Sequence, residues 1–176
     1  MILMAGYIGI VWHGRGGQGA FTASKVLGAA YSLGQGGSAL SFPSFGPERR
    51  GAPVRAFTKL SERKVEDRSE ISDPDFAVYL DRGLIGDSPS GNAIIVNSPE
   101  DLGDDRFVCI DGSGISMAVS GVPIANIAMV GALAGFWGGV SLESVFAGID
   151  AVMPERLREA NKRVAEAAYE AARGCI

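Results

Sequence analysis

The residues best suited to chemistry are six in a row. Gly14-Arg15-Gly16-Gly17-Gln18-Gly19 satisfies G-x-G-x-x-G at Gly14, Gly16 and Gly19, directly after an apolar run and at the opening of a helical pattern. In that setting glycines let the chain turn, and the helix N-terminus favours an anion by ~0.3–1 kcal/mol. A dinucleotide site needs an acid ~20 residues further on to hold the ribose. Residues 34–42 read GQGGSALSF, and the first acid after the motif is Glu48, so NAD is disfavoured. A phosphate loop of the G-K-[ST] kind is absent too, because Ser24-Lys25 has the wrong order. The bland alternative is a tight strand-to-helix turn with no ligand.

A second candidate is the run Ser41-Phe42-Pro43-Ser44-Phe45-Gly46-Pro47-Glu48-Arg49-Arg50-Gly51-Ala52-Pro53-Val54-Arg55. Three prolines stiffen it, so Phe45 and the Glu48-Arg49-Arg50 group are presented at little ordering cost. Arginine forks suit carboxylate or phosphate, and a rigid aromatic-plus-arginine loop equally suits a subunit contact. A purely local ion pair at Glu48 explains the charges as well. Third is Pro123-Ile124-Ala125-Asn126, an amide entering an otherwise apolar helix, where Asn126 either ties down a nearby loop or faces a ligand. His13 beside the glycines, and Asp81-Arg82 and Asp111-Gly112-Ser113-Gly114 at strand ends, admit both ligand and turn roles. No nucleophile–base pair or G-x-S-x-G elbow stands out, so no catalytic residue is assigned. One histidine and two cysteines 66 positions apart give no metal site.

The elements that must position these residues follow from periodicity. Tyr7–Trp12 is a buried strand, Gln18–Leu33 a helix with Ala20, Val26, Leu27, Ala30 and Leu33 on its apolar side, and Ser38–Phe42 a second strand. Val54–Leu60 and Lys64–Arg68, joined by Ser61-Glu62-Arg63, predict an antiparallel hairpin. Phe76–Leu80, Asn92–Val96 and Arg106–Ile110 predict three more strands. Pro123–Trp137 is a buried helix, Ser141 caps a short helix to Gly148, and Pro154–Arg173 is amphipathic through Leu157, Ala160, Val164, Ala168 and Ala171. Strands apolar on both faces, alternating with helices, give an α/β class: a Rossmann-like, mostly parallel sheet flanked by helices, with an added antiparallel hairpin.

The 176 residues suit one domain, 1–176. Sixteen basic residues against twenty acidic ones give −4, which disfavours nucleic acid. Glycine, at 25 residues, is about twice its ~7% average. Gly112–Leu142 carries no charge, but its continuous helix rises only ~22 Å, short of a ~30 Å hydrocarbon core, so no membrane span is expected. The start MILMAGYIGIVWHG lacks a basic leader and reads as a first strand; reducing cytoplasm is the expected location.

With these residues in hand, the sequence resembles the gamma subunit of the 2-oxoacid:ferredoxin oxidoreductases, most like the pyruvate type. HGRGGQG at 13–19 and FPSFGPERRGAPVRAF at 42–57 look like that family's two signature segments, in matching order and spacing, and PIAN at 123–126 resembles its later helix start. The resemblance implies a multi-subunit enzyme that converts a 2-oxoacid and coenzyme A to acyl-CoA and CO2, passing electrons to ferredoxin. It implies thiamine diphosphate with Mg between alpha and beta subunits and iron–sulfur clusters in a delta subunit, none of them in this chain. On the same basis, Gly14, Arg15, Gly16, Gly17, Gln18, Gly19, Arg49 and Asn126 are the expected coenzyme A contacts. Phe45, Gly46, Pro47, Glu48, Arg50 and Gly51 are expected to pack on the catalytic subunits. A purely structural subunit, and a stand-alone nucleotide-binding α/β protein, remain the alternatives.

Overall fold

The computed structural model describes residues 6–44, 46 and 49–175. Six strands form one sheet: β1 (Ile8–Arg15), β2 (Ser38–Pro43), β3 (Pro53–Ser61), β4 (Phe76–Tyr79), β5 (Ala93–Asn97) and β6 (Phe107–Ile110), in the order β2-β3-β1-β4-β5-β6. β1, β4, β5 and β6 run parallel, while β3 lies antiparallel between β2 and β1. The expected class therefore holds: a mostly parallel half carries an antiparallel hairpin, β2–β3, at one side.

That hairpin is built from different strands than the sequence suggests. Residues 64–68 are not a strand. Both edges of β3 are already taken by β2 and β1, so no ladder is left for a third neighbour. Instead Lys59, fully buried, sends its Nζ to the Asp67 carbonyl (3.0 Å) and carboxylate (2.8 Å), pinning that segment over the sheet as irregular chain. β1 also runs three residues past Trp12, because His13, Gly14 and Arg15 pair with Arg55, Val54 and Pro53.

The helices are α1 (Ala20–Gln35), α2 (Gly112–Ser120), α3 (Asn126–Trp137), α4 (Leu142–Val152) and α5 (Glu155–Arg173). α1, α3 and α5 pack on one face of the sheet, over Ile10, Trp12, Leu60, Val78 and Ile95, and α2 and α4 pack on those helices. On the other face, Val11, Phe42 and Phe57, and further along Ala77, Tyr79, Ile94 and Val96, are covered by connecting segments through Ile71, Leu84, Ile85 and Leu102. From Asn126 to Gly135 every residue of α3 is buried, as its uniform apolarity requires. Gly131 and Gly135 let α5 approach until a β-carbon at either would strike the Ala165 or Tyr169 carbonyl. No helix among the described residues is long and apolar enough to cross a membrane.

Three details differ from the periodicity. Leu33, in the last turn of α1, is 61% exposed while Ala20, Val26, Leu27 and Ala30 are buried. The buried stripe of α5 is Val164, Ala165, Ala168 and Ala172, and Ala171 faces out. Gly112–Ser120, where the sequence marks only Asp111–Gly114 as a turn or ligand position, is a helix.

Candidate functional site

The C-terminal ends of the parallel strands converge on a cleft. β1 delivers the glycine turn, β4 delivers Leu80-Asp81, β5 ends on Asn97, and β6 leads into Asp111 and α2. Two adjoining cavities of about 110 and 300 Å3 share Gln18, Leu80 and Ser113. Gly17 and Pro123–Ala125 wall the smaller; Asp81, Arg82, Asn97 and Asp111 wall the larger. This is where open α/β sheets hold ligands.

Most glycines of the turn are consumed by the protein itself. The Gly16 N–H donates to the Ala52 carbonyl (2.8 Å) and its carbonyl accepts from Gly51 (3.1 Å), and a β-carbon there would strike the Arg49 carbonyl. The two motifs are thus one unit, locked backbone to backbone. A β-carbon at Gly14 would sit 3.2 Å from Leu80 and 3.3 Å from Ala20. Gly19, at φ 82°, makes room for the buried Asn126, whose Nδ2 donates to its carbonyl at 3.4 Å. Gly17 differs: its φ is 92° and nothing lies within 4 Å of a β-carbon built on it. Gln18 reaches back, its Oε1 accepting the Arg15 N–H at 2.7 Å.

Arg15 is directed sideways. Its Nε pairs with Asp81 Oδ2 at 2.8 Å, and its Nη1 donates to the Gly51 carbonyl at 3.3 Å. Burial pushes the Asp81 carboxyl up, but the Gly83 amide, Arg15 and Gln18 outweigh it, so the net shift is downward and Asp81 stays ionised. His13 points to the helix-free face and stacks on Tyr79, ring centroids 4.2 Å apart and 4° from parallel. Burial, with the Arg55 charge beside it, pushes its pKa down to about 4, so it is neutral at pH 7 and gives the cleft no cation.

Of the expected contacts, Gly17 and Gln18 line the cleft; Gly14, Gly16, Gly19 and Asn126 shape it from behind, and Arg49 lies exposed on the adjoining loop. Gly46, Arg50 and Gly51 are exposed on that same loop. Phe45, Pro47 and Glu48 lie outside the described residues. Asn97 went unnoticed in the sequence: its Nδ2 donates to the Leu80 carbonyl and to Ser113 Oγ (both 2.9 Å), and its Oδ1 accepts from Ser113 N–H (3.1 Å). It ties β4 to α2 across the cleft, and the available signal was its place at the end of an apolar strand. Among the described residues no three His, Cys, Asp or Glu side chains group as a metal site.

This is a Rossmann-like domain with a strand-end cleft. Residues 9–171 match the family described as pyruvate ferredoxin/flavodoxin oxidoreductase. The chain is 43% identical over 172 residues to pyruvate synthase subunit PorC of Methanocaldococcus jannaschii, covering 92% of this chain and 95% of that one. It is 36% identical to the common gamma subunit of the pyruvate/ketoisovalerate oxidoreductases of Thermococcus kodakarensis, covering 92% and 95%. The crystal structure of pyruvate oxidoreductase subunit PORC from Thermotoga maritima superposes with a TM-score of 0.78 at 32% identity, over 93% of this chain and 96% of that one. The chain belongs to the pyruvate ferredoxin/flavodoxin oxidoreductase family, as a gamma-type subunit.

Proposed function

We propose that this gamma subunit, a single domain over 1–176, contributes the coenzyme A phosphate contacts of a cytoplasmic 2-oxoacid:ferredoxin oxidoreductase, with pyruvate as the oxoacid. The single observation that carries this is the start of α1. It has no side-chain cap and no acid in its first turn, and it opens beside Gly17, whose surroundings are free. First-turn N–H groups left in that state favour an anion. Gln18 and Gly17 would meet the phosphates, with Arg49 at the rim and Asn126 holding the turn in shape. Arg15 would bear on the anion only while keeping its pairing with Asp81.

In the enzyme as a whole, a 2-oxoacid loses CO2, its acyl group forms a thioester with the coenzyme A sulfur, and the electron pair released goes to ferredoxin. Thiamine diphosphate with Mg and iron–sulfur clusters would supply the carbanion and electron-transfer chemistry from alpha, beta and delta subunits. This chain's task is binding: to hold the anionic end of coenzyme A and present the 44–52 loop to its neighbours.

A scaffold role is the second reading, and a specific observation favours it. Gly14, Gly16 and Gly19 are all explained by contacts within the chain. Anaerobic purification of the tagged chain from its own cells tests the assembly. Partner subunits, bound iron and thiamine diphosphate, and dye reduction dependent on pyruvate and coenzyme A are expected. A lone, colourless monomer that binds NAD tightly would overturn the proposal.

A further inference from the structure

A cavity of about 470 Å3 lies away from the glycine turn, along the outer edge of β6. Strand β6 ends the sheet and pairs with β5 alone. The Ile94 N–H donates to the Arg106 carbonyl (3.3 Å) and the Ser98 N–H to that of Ile110 (3.0 Å). In a parallel ladder alternate residues face the partner, so Phe107 and Cys109 turn their backbone groups outward. The Phe107 N–H is satisfied by the Asp104 carbonyl at 2.9 Å. Among the described residues the Cys109 N–H and the Phe107 and Cys109 carbonyls have no partner, and both residues line the cavity.

Natural edges are blunted by proline, lysine, a bulge or a covering segment. The opposite edge, β2, shows such devices: it ends on Pro43, and Ser38 Oγ accepts the Val65 N–H at 3.3 Å. The sequence of β6, Phe-Val-Cys-Ile, is short, at four residues, but carries no proline, lysine or other charge. The cavity beside it is lined by Glu100, Asp101, Asp105 and Asp111 against Arg106, which Asp104 holds at 2.7 Å. A second copy of this chain would bring like charges face to face across a twofold axis, so a self-pair is disfavoured.

We infer that the β6 edge receives an extended, lysine- or arginine-bearing segment of another subunit of the complex, which adds to the sheet as one more strand. Main-chain hydrogen bonds to Phe107 and Cys109 give the affinity, and the acidic rim selects the basic partner. This rests on the chain working within a multi-subunit enzyme, but not on where coenzyme A binds.

Residue-resolved amide hydrogen exchange on the assembled enzyme and on the chain alone tests it without using activity. The Cys109 amide is expected to exchange at least about tenfold more slowly in the assembly, the equivalent of ~1.4 kcal/mol. Asp101→Lys with Asp105→Lys, both exposed, should abolish that difference while the isolated chain stays folded. Equal exchange at Cys109 in both states, protection that survives the charge reversal, or a β6-to-β6 dimer would each overturn the inference.

Discussion

Two glycine-bearing turns lead from a strand end into a helix, and they are finished in opposite ways. At Asp111–Gly114 the start of α2 is closed: Asp111 accepts the Gly114 N–H at 2.8 Å and Asn97 accepts that of Ser113 at 3.1 Å. At Gly14–Gly19 the start of α1 has no side-chain cap, although its glycines are packed on Leu80, Arg49 and Asn126. The same local grammar yields one sealed helix end and one uncapped end, with Gln18 and Ser113 lining the same cleft. Glycine in such a turn therefore says where backbones meet; the uncapped N–H groups of α1 are what the proposed anion contact rests on.

The sharpest way to break this contrast is Gly19→Ala. The left-handed backbone costs ~1–2 kcal/mol and the overlap with Asn126 a further ~1–3 kcal/mol. Thermal or urea unfolding should register both, whereas Gly17→Ala should show the backbone cost alone. Equal losses at the two positions would dissolve the distinction between packed and open glycines.

Next in size is His13, which lies beside the turn but serves packing. Its pKa is about 4 in the fold against 6.5 for the free side chain. The unfolded chain therefore takes up the proton first, so this stabilisation is present above pH ~6.5 and is lost as pH falls towards 4. The loss amounts to about 3 kcal/mol. His13→Phe, which keeps a ring on Tyr79, should flatten the stability profile in that window. Coenzyme A affinity should not follow the His13 titration. The carboxylates Asp67, Asp81 and Asp104, all held below their usual range, act at lower pH still.

The smallest expected effect is on the sealed side. Asp111→Ala removes the α2 cap and should cost ~1 kcal/mol, with coenzyme A binding unchanged. A large loss of coenzyme A affinity in that variant would move the anion site to α2.

Much of this was legible in the sequence, for identifiable reasons. Apolar runs of strand length and the glycine motif gave β1, β4, β5, β6 and the strand-end location of the cleft. Ser141 was recognisable as a cap, and its Oγ accepts the Ser144 N–H at 3.1 Å. What escaped was tertiary. The partner of β3 depends on β1 and β2 occupying both its edges, which local alternation cannot encode. Gly112–Ser120 carries three small polar or glycine residues at its start, a turn signature that Asp111 converts into a helix by capping it. Asn97 holds β4 to α2 through contacts 16 and 17 residues distant, with no motif to mark it. Nor could spacing show that Gly16 is spent on the Arg49–Ala52 loop.

One measurement bears most directly on the open end of α1: equilibrium binding of coenzyme A to the assembled enzyme carrying Gly17→Asn or Gly17→Asp. Both side chains tolerate left-handed backbone and have nearly the same shape, so the pair differs in charge alone. A Kd at least about tenfold weaker for the aspartate variant, or ~1.4 kcal/mol, is expected if phosphates meet the helix here. Equal affinities in the two variants would contradict it and leave the glycine turn as a structural joint.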